Sequence, residues 1–173
     1  MPAPDRTKEI HMGYTTDFEG SVTVTPPLNA SERTYLLRFA QTRRMDRTRG
    51  PYFVDGTDGE SEHGQGHDSD IRDYERPPAG QPSLWCGWVP TEDGTAIEWD
   101  GVEKFRDSEV WMQYLIDHFL RSGGRAEGHQ GFEDFTFDHV VNGVIHAQGE
   151  DSEDAWDLIV TDNAVTVDDT SPE

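Results

Sequence analysis

From Tyr14 to Thr25 the chain alternates. Tyr14, Phe18, Val22 and Val24 share one parity, with Thr16 and Gly20 between them, while Thr15, Asp17, Glu19, Ser21, Thr23 and Thr25 share the other. A period of two with one apolar and one polar set predicts a long strand with a buried and a wet face. Gly20 is a candidate bulge, and Pro26-Pro27, which lack backbone donors, end the ladder. The period then changes. Asn29 stands where a helix cap belongs, Glu32 completes a capping box, and Leu36, Phe39 and Ala40 form an apolar stripe. This helix should run out near Arg44 or Met45.

Residues 46–82 lose periodicity. Gly-Pro, Asp-Gly and Pro-Pro punctuation alternates with acidic runs, and only Pro51-Tyr52-Phe53-Val54 reads as a short strand. The stretch 55–71 reads as an acidic, flexible insertion. Order returns with Leu84 to Val89, a strand stopped by Pro90, and Thr95 to Asp100, its hairpin partner across a loop of about five residues. Asp107 or Ser108 caps a second helix with Trp111, Tyr114, Leu115, His118 and Phe119 along one side, and Gly123-Gly124 terminates it. Phe135 to Gln148 is β-rich. Asn142-Gly143 inside it is a two-residue hairpin signal, yet parity also runs through it as one kinked strand, and a long strand from near Phe137 is the favoured reading. Ala155–Thr161, a turn at Asp162-Asn163, and Ala164–Val167 complete the pattern. The expectation is an α+β fold, a twisted antiparallel sheet with two helices packed on one face, ferredoxin-like in spirit. Residues 1–11 read as a disordered arm, 12–167 as one domain, and 168–173 as an acidic tail.

Composition changes this picture in one respect. The 173 residues carry a formal net charge of −21, with 35 Asp and Glu against 14 Lys and Arg. Such a surface repels itself in dilute buffer and is relieved by screening, so a salt-loaded cytoplasm, as in haloarchaea, is its natural setting. The hydrophobic share of 33% is low, but five Trp, eight Phe and five Tyr supply a core. Cys86 is alone, which excludes an intrachain disulfide and suits a reducing compartment. The N-terminal residues lack the apolar stretch of a signal peptide, and no run approaches the roughly 18 apolar residues of a membrane span. A cytoplasmic location is expected.

Three stretches resemble a family of uncharacterised prokaryotic and phage proteins: Gly13 to Gly20 leading to Pro27-Leu28 and Arg43-Arg44-Met45; Leu84 to Phe105, with its Trp-Val-Pro-Thr-Glu-Asp-Gly-Thr block; and Gln148 to Asp151 with Asp154 and Trp156. The resemblance implies a shared fold and leaves a cellular origin and a viral or mobile-element origin both open. It implies no catalytic residue.

Candidate chemistry is sparse. Arg33, Arg38, Arg43, Arg44, Arg47 and Arg49 run against the background charge, and arginine forks suit phosphate or carboxylate, so this segment is a candidate RNA or phosphate contact. Its structural alternative is helix-terminal cations paired with neighbouring acids. His63 and His67 in the insertion, and Glu150, Asp151 and Asp154 in an acidic turn, are candidate divalent-metal ligands, although their spacing matches no metal motif. No cofactor is predicted. His118 reads as a packed helix residue and Cys86 as a small buried hydrophobe. Trp85 and Trp88 have opposite parity on one predicted strand, so one of them should face away from the helices. With Trp99, Asp17, Glu92 and Asp93 it would make an exposed aromatic patch. The leading expectation is a non-enzymatic interaction protein with a protein partner. A metal-dependent hydrolase or nuclease, and a nucleic-acid binder using the arginines, are the alternatives.

Overall fold

Strand β1, Thr16–Thr25, lies inside a six-stranded antiparallel sheet whose order is β4-β5-β1-β6-β7-β8. The computed structural model describes residues 15–54, 71–102 and 105–169. In chain order the elements are β1, α1 (Ala30–Gln41), β2 (Asp46–Arg47), β3 (Ile71–Asp73), β4 (Trp88–Pro90), β5 (Ala96–Trp99), α2 (Ser108–Leu115) with a π-helical turn over Ile116–Leu120, β6 (Val140–Gly149), β7 (Ala155–Thr161) and β8 (Ala164–Asp169). The fold is α+β, and both helices bury their apolar sides against one face of the sheet, as the alternation of β1 requires.

β1 buries Phe18, Val22 and Val24 and exposes Asp17, Glu19, Ser21 and Thr23. It pairs without a register break with all of β6, from Thr16 opposite Gly149 to Thr25 opposite Val140, so Gly20 marks no bulge. That continuous pairing also settles Asn142-Gly143. β6 runs straight through the dipeptide, and Gly143 is needed because a Cβ there would sit 2.9 Å from Val22 Cα. β6 begins at Val140, three residues later than near Phe137, because Phe137 turns into a left-handed conformation and His139 is drawn out of the sheet direction by side-chain bonds described below. The β7–β8 hairpin turns on Asp162 and Asn163, both at positive φ, the type I′ pattern that matches strand twist.

α1 begins with the capping box: Asn29 accepts from the Glu32 amide, and the Glu32 carboxylate accepts from the Asn29 amide, each at 2.8 Å. The helix ends at Gln41, earlier than Arg44 or Met45, with Thr42 as its cap. Pro51 to Val54 forms a turn rather than a strand. The short pairing in this region joins Asp46–Arg47 to Ile71–Asp73 instead, so residue 71 is an ordered strand residue. The rest of the supposed insertion, residues 55–70, and the 1–11 arm lie outside the described residues. The strand expected over Leu84 to Val89 is reduced to Trp88–Pro90, an edge strand where proline costs no ladder bond. At the other end β8 continues through Asp168 and Asp169, which are therefore not tail.

Candidate functional site

The tryptophans do not form a patch on the open sheet face. Trp88 pairs with Trp99 across β4 and β5, and both point to the helix side. There Trp88, Trp99 and Trp156 surround Phe18 with ring centroids 5.2, 5.4 and 6.0 Å away. The parity premise fails because residues 83–87 are irregular: Trp85 lies off the sheet, and only Trp88 belongs to the strand. Asp17 stands on the wet face of β1 with Glu19, away from the tryptophans. Glu92 and Asp93 belong to the β4–β5 turn, where Asp93 accepts from Thr91 Oγ1 (2.9 Å), the Thr95 amide (3.0 Å) and Thr95 Oγ1 (2.8 Å). These bonds, that of the Thr95 amide first, hold the Asp93 carboxyl below its ordinary range. Its work is to fix the turn.

The arginine segment folds inward. Arg44 is 2% exposed and Arg47 3% exposed, so neither can meet a phosphate at the surface. Arg44 donates to the carbonyls of Phe53 (2.6 Å) and Pro51 (2.9 Å) and to Gln81 Oε1 (3.3 Å), and its guanidinium lies 4.0 Å over the Phe39 ring. Arg47 and Arg49 lie over Phe53, and Arg43 over Tyr74, at 4.1, 4.9 and 4.3 Å. Cations stacked on rings and donating to carbonyls tie the segment after α1 to the body of the domain. Arg38 is exposed on α1, apart from these stacks.

Behind Arg44 a polar chain continues. Gln81 Nε2 donates to Tyr114 Oη at 2.9 Å, Tyr114 stacks on His118 at 3.8 Å, and the Tyr52 hydroxyl bonds His118 Nδ1 at 2.7 Å. Burial pushes His118 down to about 4, so its imidazole is neutral and serves as a hydrogen-bonding ring in the wall of the core. Burial likewise pushes the Cys86 thiol up to about 12, which leaves it unreactive at neutral pH.

Sequence reasoning missed a buried ion pair. Glu32 is 0% and His139 1% exposed, and His139 Nε2 sits 2.9 Å from Glu32 Oε2. His139 Nδ1 lies 2.6 Å from the Pro26 carbonyl. Both ring nitrogens face acceptors, so the ring is an imidazolium opposite a carboxylate. Burial works against both charges, but the bond between the two, with the Asn29 and Thr136 amides on Glu32 and the Pro26 carbonyl on His139, outweighs it. Glu32 is held below its ordinary value and His139 above.

The acidic turn is built on its own backbone. Gln148 Nε2 donates to the carbonyls of Gly149, Asp151 and Asp154, and Thr15 Oγ1 donates to Glu150. Asp151, Glu153, Asp154, Glu109 and Asp169 edge a shallow hollow of about 700 Å³. Among the described residues no group of three or more His, Cys, Asp or Glu is placed to hold a metal ion. His63 and His67 lie outside the described residues.

One concavity of different character remains, where the end of α1 meets the chain before β4 and after β5. Ala40, Trp85, Cys86, Gly87, Val102 and Phe105 line about 480 Å³ of mostly apolar space, with Gln41 and Asp100 as its polar members. Its walls are fixed. Trp99 Nε1 donates to the Val102 carbonyl at 3.2 Å, Asp100 Oδ1 accepts from the Val102 amide at 2.9 Å, and the Asp100 amide donates to Gly87 at 3.0 Å. Phe105 lies flat against Gly87, where a Cβ would stand 2.6 Å from its ring. Trp85 and Val102 are 39% and 64% exposed. Of the lining residues only Trp85 is among the binding candidates read from the sequence, and Trp99 stands behind the wall. The glycine between two tryptophans and the Asp-Gly-Val after Trp99 were the remaining signals in the sequence. No protein-family model, no curated protein and no solved structure matches this chain.

Proposed function

We propose that this chain is a non-enzymatic protein-binding module of a salt-adapted cell, or of a virus or mobile element that grows in one, and that the groove between Trp85 and Phe105 is its binding surface. The observation that carries this reading is an open apolar concavity on a chain of net charge −21. Large apolar side chains exposed together in a concavity mark interaction sites. Among the described residues, Arg44 and Arg47 brace a loop, Glu32 and His139 pair in the core, and the Cys86 thiol is buried. A cytoplasmic location follows from the same salt adaptation and the unpaired cysteine.

The test is retention of a partner by the immobilised full chain, compared with Trp85→Ala and Val102→Asp, from extract of a salt-adapted organism in molar KCl. A protein retained by the native chain and lost with either substitution supports the reading, and identical retention by all three overturns it. The salt-adapted part has its own check. The urea midpoint should rise from low salt to molar KCl, and a flat response removes that part.

A further inference from the structure

Resting on that reading of the groove, we infer that its occupant is a basic, apolar-anchored segment of a partner protein: an aromatic or aliphatic side chain seated between Trp85 and Phe105, with a lysine or arginine beside it on Asp100. Among the described residues Asp100 is the one acid that lines the groove. Its backbone amide is bonded to Gly87 and its Oδ1 to the Val102 amide, so the carboxylate is held in place against an apolar wall. Among the described residues no cation pairs with it. Loss of hydration against that wall raises its carboxyl above the ordinary range, although the residue keeps contact with solvent.

Charge complementarity then selects the occupant. A purely apolar segment would cover Asp100 and leave a carboxylate without water or a counterion, which is costly. An acidic segment, a nucleic-acid backbone or an anionic membrane would meet both Asp100 and the field of a chain with net charge −21. A cation beside an apolar anchor satisfies the carboxylate, gains the indole face of Trp85, and is steered in by the same field. The apolar lining supplies the larger part of affinity and Asp100 supplies the choice between partners.

The experiment titrates the ¹⁵N-labelled full chain with three capped tetrapeptides, Ac-Phe-Lys-Gly-Gly-NH2, Ac-Phe-Gln-Gly-Gly-NH2 and Ac-Phe-Glu-Gly-Gly-NH2, and follows the amides of Gly87, Asp100 and Val102. The lysine peptide should shift these amides and bind about fivefold more tightly than the glutamate peptide, with the glutamine peptide between. Asp100→Asn should bring the three within about twofold of one another. The salt dependence of the native chain is a readout that needs no variant: the lysine peptide should weaken as KCl rises while the glutamine peptide does not. Equal binding of the three peptides at these amides overturns the inference and leaves the groove as a binding surface. Shifts confined to other amides, or none at all, overturn both.

Discussion

Arg44 and the Glu32–His139 pair are both full charges kept out of water, and they are kept there by different means. Arg44 has neutral company, the carbonyls of Pro51 and Phe53, the Gln81 amide oxygen and the face of Phe39, so its charge is met by dipoles. Glu32 and His139 meet an opposite charge across 107 positions of sequence, and each is also bonded to backbone. The first arrangement fastens a loop to the helix it has just left. The second fastens the start of α1 to the entry of β6. The contrast lies in what each depends on. Burial brings Arg44 down to about 10, which leaves it charged at any ordinary pH, whereas the pair exists only while one member is protonated and the other is not.

The largest expected effect breaks the first arrangement. Arg44→Ala should cost about 4 kcal/mol in urea unfolding at constant KCl, because buried carbonyls lose their donor and a cavity opens over Phe39. Arg44→Lys should recover less than half of it, since an ammonium cannot reach the same acceptors as a planar fork. If the lysine variant is as stable as the native chain, charge alone was sufficient and the contrast collapses. Next in size, Glu32→Gln should cost about 3 kcal/mol by leaving His139 buried without its counterion.

The two arrangements should also separate on the pH axis. The folded value of His139 is raised, so its contribution is complete below the unfolded histidine value of about 6.5 and is lost as pH rises through the folded value. The folded value of Glu32 is lowered, so its contribution is present above the ordinary carboxylate value and is lost as pH falls through the folded one. The stability difference between the native chain and His139→Gln should therefore be greatest in mildly acidic solution and shrink toward alkaline pH. The Arg44→Ala difference should stay level over the same range. A His139→Gln difference that does not change with pH would mean that the pair is not ionised.

The smallest effects sharpen the assignment. Asn29→Ala removes only the cap side chain and should cost about 1 kcal/mol at any pH, which separates capping from ion pairing at the same helix end. Arg43→Ala, a half-buried stack on Tyr74, should cost about 0.5 kcal/mol, far less than its buried neighbour.

How much was legible in the chain follows the range of the interactions. The wet and dry faces of β1, the capping box of Asn29 and Glu32 and the Asp162-Asn163 turn are each decided within a few residues, and each stands where the pattern placed it; the β4–β5 hairpin is also present, with its first strand shortened to Trp88–Pro90. The candidate site was less legible. Arg44 and Arg47 read as a surface patch because a run of cations in an acidic chain looks like a ligand site, yet the Phe39 and Phe53 rings draw them inside. Trp88 and Trp99 read as a face exposed beyond the helices because Trp85 was counted into the same strand, while Gly87 and Phe105 break that strand before Trp88. Asp100 read only as the end of a strand, and Val102 carried no periodicity at all.

The sequence by itself determined the class of fold, the wet face and C-terminal end of the central strand, where α1 begins, and a net charge of −21, because hydrophobic period, capping and net charge are local or additive properties of the chain. The tertiary structure alone decided which charges are buried, which tryptophans face the core, that Glu32 meets His139, and that Asp100 stands in an apolar groove. Those outcomes depend on contacts between residues far apart in sequence, and burial is a property of the assembled core that no local pattern carries.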